Sequence, residues 1–135
     1  ITGGDYVLNT GSPHYVRFVP QVSTIPVKEE GARIRYSETY SKAGINVNFV
    51  ELRNEGEIFV RTYERGVEDE TLSCGTGVVA SALAYAHRTD SLLNEVQIQT
   101  FGGNLSVKFE AAVNGFKNIY LIGPAQRVFE GTVEI

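Results

Sequence analysis

The chain has 135 residues, enough for one domain with a sizeable core. Its net charge of −4 and its scattered Lys and Arg, with no basic stripe interleaved by aromatics, argue against nucleic acid or an anionic membrane surface as partner. No apolar run approaches the about 20 residues of a membrane span, the first residues have no signal-peptide pattern, and the one cysteine excludes an intramolecular disulfide and fits a reducing compartment.

In chain order, alternation and β-branched or aromatic enrichment predict short strands over 5–8, 14–18, Asn46–Leu52, 58–63, 96–100, 105–109, 119–122 and 126–134. Gly, Asn and Pro punctuate them at Gly3-Gly4, Ser12-Pro13, Asn54-Glu55-Gly56, Gly102-Gly103-Asn104, Asn114-Gly115 and Gly123-Pro124. Residues 31–43 are expected to hold a short helix that ends at Gly44. The stretch 78–88, VVASALAYAHR, is the clearest helix: rich in Ala and Leu, free of Gly and Pro, and small or apolar around almost its whole circumference. Such a helix is buried on most sides. The pattern therefore predicts an α+β domain in which a curled, barrel-like mixed β-sheet wraps a central helix over about 75–88. There are no repeats or linkers, so residues 1–135 read as one domain. The chain contains no Met, even at position 1, which points to a fragment, a processed chain or an excised domain.

The single thiol lies in Ser73-Cys74-Gly75-Thr76-Gly77, immediately before that helix. A helix N-terminus carries roughly half a positive charge and free N–H groups, so a thiol there is expected to ionise more readily than usual. The same N–H groups suit a substrate carboxylate, and Gly75 and Gly77 let a ligand approach the backbone. A carboxylate held there would bring an amino-acid α-carbon beside Cys74. A lone cysteine is more commonly a small buried hydrophobe. What distinguishes Cys74 is the coincidence of thiol, glycines and helix start.

Neighbouring segments add polar groups. Glu64-Arg65 ends a strand: either a solvated surface pair, or a carboxylate for a substrate ammonium or for tuning the thiol. His14, after Ser12-Pro13, is either a structural histidine or a partner that modulates Cys74. Asn46 and Asn48 share one face of a strand, which fits an exposed edge or hydrogen bonding to a polar substrate.

These residues resemble the diaminopimelate epimerase family. Tyr63-Glu64-Arg65-Gly66, Glu68, Glu70, Thr71 and Cys74-Gly75-Thr76-Gly77 look like its second catalytic segment, and this part is quite specific. Gly11-Ser12-Pro13-His14, Ile45-Asn46-Val47-Asn48-Phe49, Phe101-Gly102-Gly103 and Gly123-Pro124-Ala125 follow in the family's order. The resemblance implies two pseudo-symmetric halves, each a barrel-like sheet around a helix, with one catalytic cysteine from each. This chain would be the C-terminal domain, and its last strand, over about 126–135, would cross to the missing N-terminal domain or pair between copies in a homodimer.

Carried over residue by residue, Cys74 is the proton donor or acceptor of this half. His14 and Glu64 tune the thiols. Asn46, Glu64, Arg65, Gly75 and Thr76 bind substrate. Ser12, a further substrate-binding candidate, stands where the family commonly has Asn, and its shorter hydroxyl would keep one hydrogen bond to substrate, directly or through water. Asn48 replaces a common Gly and Phe101 a common Pro, both read as scaffold variation. The implied activity is interconversion of LL- and meso-diaminopimelate by two thiols, with no metal, flavin or pyridoxal cofactor, in lysine biosynthesis in the cytoplasm. The chain alone would be inactive. Alternatives are a proline or hydroxyproline racemase-like enzyme, a cysteine hydrolase pairing Cys74 with His14 or His87, and a domain that binds without catalysing.

Overall fold

The computed structural model describes residues 4–90 and 92–135. Among these, the strands are β1 (Tyr6–Asn9), β2 (Pro13–Phe18), β3 (Asn46–Leu52), β4 (Glu57–Glu64), β5 (Asp69–Thr71), β6 (Glu95–Thr100), β7 (Gly103–Ala112) and β8 (Gly115–Ile122). They form one sheet in the order β1-β2-β3-β4-β6-β7-β8, with β5 paired to β4. The β2–β3 and β4–β6 ladders are parallel and the others antiparallel. Helix α2 (Gly75–Thr89) touches every strand except β5, so the sheet curls around it. The curled sheet around a central helix expected from the sequence is the architecture found.

The period of two along each strand divides the side chains between two cores. Inward-facing Val16, Val50, Ile58, Val60, Val96, Ile98 and Val107 pack on Val78, Ala82, Leu83 and Ala86 of α2. Each of the larger of these side chains contributes about 1.5–3 kcal/mol by leaving water. On the outer face, Val47, Phe49, Phe59 and Tyr63 pack under helix α1 (Val27–Arg35) and a 3-10 turn at Val22–Thr24.

The helix expected over 31–43 lies earlier, at Val27–Arg35. Pro26 precedes its first turn, where a missing N–H costs nothing, with Glu29 and Glu30 in that turn and Arg33 and Arg35 in the last, matching the helix dipole. Gly31 belongs to the helix interior because Tyr63 lies against it: a Cβ there would sit 2.4 Å from the Tyr63 Cβ. Residues 36–43 form successive turns that close at Gly44, whose φ of +74° is the left-handed geometry expected of such a stop. Strand β5 was not foreseen, since it has three residues between turns. The strand expected over 126–134 does not form: residues 123–135 carry no regular structure, pair with no described strand, and leave Val128, Phe129 and Val133 exposed. A strand exists only by its partner, and neither sheet edge receives this one.

The sheet registers position the site. His14 pairs with Asn46, and Asn48 with Thr62. His14, Asn46, Asn48, Thr62 and Glu64 have the parity of the inward face, at the end of the curl where α2 begins. Asn46 and Asn48 are therefore buried on an interior strand and not on an exposed edge.

Candidate active site

Helix α2 starts immediately after Cys74, which adopts extended geometry (φ −123°, ψ 110°) with no side-chain cap. The first intrahelical bond runs from Val78 N–H to the Cys74 carbonyl at 2.8 Å. The N–H groups of Gly75, Thr76 and Gly77 thus have no carbonyl one turn back, and form the positive end of the helix. Cys74 is half-buried and its Sγ lies 3.6 Å from Thr76 Oγ1. An open cavity of about 680 Å³ borders this start, between β1, α2 and β8; Asn9, Thr10, Gly75 and Thr76 line its polar end, Leu8, Val79, Leu83, Phe116, Ile119 and Leu121 line the rest, and Cys74 lies beside it without lining it.

Thr76 gathers the site. Its Oγ1 is 2.9 Å from His14 Nε2 and 3.2 Å from Ser12 Oγ, and its carbonyl accepts from Thr10 Oγ1 at 2.8 Å. Ser12 Oγ is also 3.0 Å from His14 Nε2 and accepts from Asn46 Nδ2 at 3.2 Å. The Ser12 hydroxyl is thus fully inside the network. The β1–β2 turn folds over Thr76 because Gly11, at φ +109°, takes a conformation most residues avoid.

His14 is fully buried. Burial, and then the positive charge of Arg65, push its imidazole down to about 4. It is neutral at ordinary pH. Gly77 permits this packing: a Cβ there would sit 2.4 Å from Asn48 Oδ1 and 3.3 Å from His14 Cε1.

The other expected residues lie around this centre with less freedom. Asn46 donates from Nδ2 to the Pro13 carbonyl at 3.0 Å and to Ser12, and its Oδ1 accepts from the Arg65 N–H at 2.8 Å. Its amide is engaged internally. Arg65 is exposed and donates from its guanidinium to the Ala43 carbonyl at 2.8 Å. Glu64 is half-buried; its Oε2 accepts from Thr71 Oγ1 at 3.0 Å, on the segment leading to Cys74. Glu64 and Arg65 point to different partners and form no surface pair with each other. His87 is exposed in the last turn of α2, far along the helix from Cys74, which removes it as a hydrolase base. Among the described residues no group of three or more His, Cys, Asp or Glu could hold a metal ion. Thr10 and Thr62 were not singled out from sequence. Isolated threonines carry no signal until the sheet register sets their neighbours.

Solved structures with this fold include a protein from Pseudomonas aeruginosa described as a predicted epimerase (TM-score 0.59, 15% identity, 79% of this chain and 36% of that one). A phenazine biosynthesis protein of the PhzF family from Enterococcus faecalis is similar (TM-score 0.58, 14% identity, 77% and 39%). Those likenesses define the fold class. The sequence comparison is more specific: the diaminopimelate epimerase family matches residues 6–128, and the chain belongs to that family. The diaminopimelate epimerase of Flavobacterium psychrophilum is 51% identical over 126 residues, 93% of this chain and 49% of that protein. That of Methanocella arvoryzae is 44% identical over 128 residues, 95% and 43%. The chain spans about half the length of these relatives.

Proposed function

We propose that the chain is the C-terminal half of a cofactor-independent enzyme that interconverts LL- and meso-diaminopimelate, with Cys74 as one of two thiols that exchange a proton with the substrate. The observation that carries this is the half-buried Cys74 at the start of α2, with the Thr76 hydroxyl 3.6 Å from its sulfur and an open cavity bordered by Gly75 and Thr76. The substrate carboxylate docks on the free N–H groups of Gly75, Thr76 and Gly77, where helix dipole and N–H donors favour negative charge.

Chemistry follows from that placement. A thiolate on one face of the α-carbon takes its proton, and the C–H electron pair moves into the carboxylate as an enolate-like anion. The helix start stabilises the added charge. A thiol on the opposite face then gives its proton to the same carbon. The centre is inverted and the two sulfurs have exchanged protonation states, so the pair runs in both directions. One sulfur is Cys74; the other comes from the complementary half. The 126–135 segment, unpaired within the chain, finds its partner strand in that half. The enzyme acts in lysine biosynthesis in the cytoplasm.

The test is solvent exchange in D2O by the complete two-half enzyme. Deuterium should enter the α-position of diaminopimelate and not that of proline or hydroxyproline. Exchange into proline instead would replace this reading with a proline-racemase one. The 135-residue chain alone should exchange neither.

A further inference from the structure

We propose that Asn48 is a positioning residue for Cys74: it fixes which nitrogen of His14 carries the proton, and so aims a chain of donors at the sulfur. A backbone carbonyl can only accept, and one fixes the orientation of the Asn48 amide. Asn48 Nδ2 donates to the Tyr15 carbonyl at 3.0 Å, and Asn48 Oδ1 accepts from Thr62 Oγ1 at 2.9 Å. A flipped amide would set two oxygens against each other at Tyr15, so the NH2 group is the end that faces His14. That NH2 group lies 3.1 Å from His14 Nδ1. An amide nitrogen only donates, so Nδ1 must accept and the ring proton sits on Nε2.

The consequence runs outward. Nε2–H can only donate, and its neighbours are Thr76 Oγ1 at 2.9 Å and Ser12 Oγ at 3.0 Å. Ser12 is fed from the other side by Asn46, whose amide is fixed in the same way by the Pro13 carbonyl. With donors supplied to Thr76 Oγ1, its own proton is left to point at Cys74 Sγ, 3.6 Å away. Two side-chain amides, an imidazole and two hydroxyls thus orient one hydrogen bond onto the Cys74 sulfur. Asn48 is fully buried and touches no solvent, so it acts only through His14. Gly77 is the complement, since any side chain there would displace the Asn48 amide.

The role in proton exchange rests on the proposed function, but the test needs no substrate, so each can fail alone. The chain has two histidines and one cysteine, so ring nitrogen signals are assignable with His87→Gln and thiol alkylation reports Cys74 only. Ring ¹⁵N shifts of the 135-residue chain should show His14 unprotonated at Nδ1 and protonated at Nε2. In Asn48→Asp the carboxylate calls the proton to Nδ1, the Thr76 hydroxyl turns to the bare Nε2, and Cys74 loses its donor. Alkylation by iodoacetamide at fixed neutral pH should then slow about ten-fold, the effect of one hydrogen bond to a charged group. Thr76→Val, which removes the donor to Cys74 together with an acceptor of His14 Nε2–H and keeps the shape, should slow it comparably and serves if the buried Asp prevents folding. A wild-type proton on Nδ1, an Asn48→Asp protein that keeps it on Nε2, or alkylation within two-fold of wild type in the folded variants would overturn the proposal.

Discussion

Gly77→Ala should destabilise the chain, against the usual trend for a helix. In an exposed helix interior, Gly→Ala gains about 1 kcal/mol. At position 77 the new Cβ would meet Asn48 Oδ1 at 2.4 Å, and that oxygen cannot yield freely. The Asn48 amide is tied to Thr62, the Tyr15 carbonyl and His14 on a buried strand. Either α2 lifts from β3, or Asn48 turns and leaves buried polar groups unpaired. Overpacking costs about 1–3 kcal/mol and an unpaired buried group a similar amount. The net loss should be about 1–3 kcal/mol, or about 4 °C in Tm per kcal/mol at this chain length. Gly75→Ala is the control, because its Cβ would meet only Leu121 Cδ2, at 3.1 Å, the end of a half-exposed side chain. Urea unfolding should show a lower midpoint for Gly77→Ala at unchanged slope, and little change for Gly75→Ala. A Gly77→Ala chain as stable as wild type would refute the close-packed helix start.

Other consequences follow from the same contacts. His14 is held at about 4, below the 6.5 of an unfolded histidine, so between these values the unfolded chain binds a proton that the folded one refuses. Its contribution, up to about 3 kcal/mol at 1.36 kcal/mol per pH unit, is complete above pH 6.5 and is lost as pH falls through 4. His14→Gln should flatten that part of the stability–pH curve, and an unaltered slope would show that His14 is not the group responsible. Glu51 is buried and its Oε2 accepts from the Val22 N–H at 2.8 Å, so Glu51→Ala orphans a buried donor and should cost about 1–3 kcal/mol in a thermal melt. Removing residues 126–135, which are exposed and unpaired here, should leave the melting temperature of the chain nearly unchanged.

Much of this was legible in the sequence because it is local. The VVASALAYAHR stretch announces a buried helix by composition, and the thiol at its start needs only the Gly-Thr-Gly that follows. Alternation gave most strands, though β4, β6, β7 and β8 run longer than their apolar cores imply because ladder bonds continue through Glu57, Glu95, Gly103 and Gly115. Helix α1 lies earlier than the expected 31–43 because Gly31 sits inside it, as a contact point for Tyr63, a residue far along the chain. Long-range register was the part hidden from view. His14 and Asn48 meet only because β2 and β3 run parallel after a crossover through α1, and no local pattern encodes that alignment. Asn48 therefore reads as scaffold variation in the sequence, whereas in the fold its amide holds the buried face of His14.

Cys74 is proposed as one of the two proton carriers, and one measurement addresses this directly: the rate at which the complete two-half enzyme, as wild type and as Cys74→Ser, incorporates solvent deuterium at the α-carbon of diaminopimelate. A serine hydroxyl in place of the thiol is a far poorer base, and its loss of positioned acid–base catalysis should lower the rate by about 10²–10⁴-fold while the melting temperature stays near that of wild type. A folded Cys74→Ser enzyme that exchanges the α-hydrogen at the wild-type rate would contradict the account.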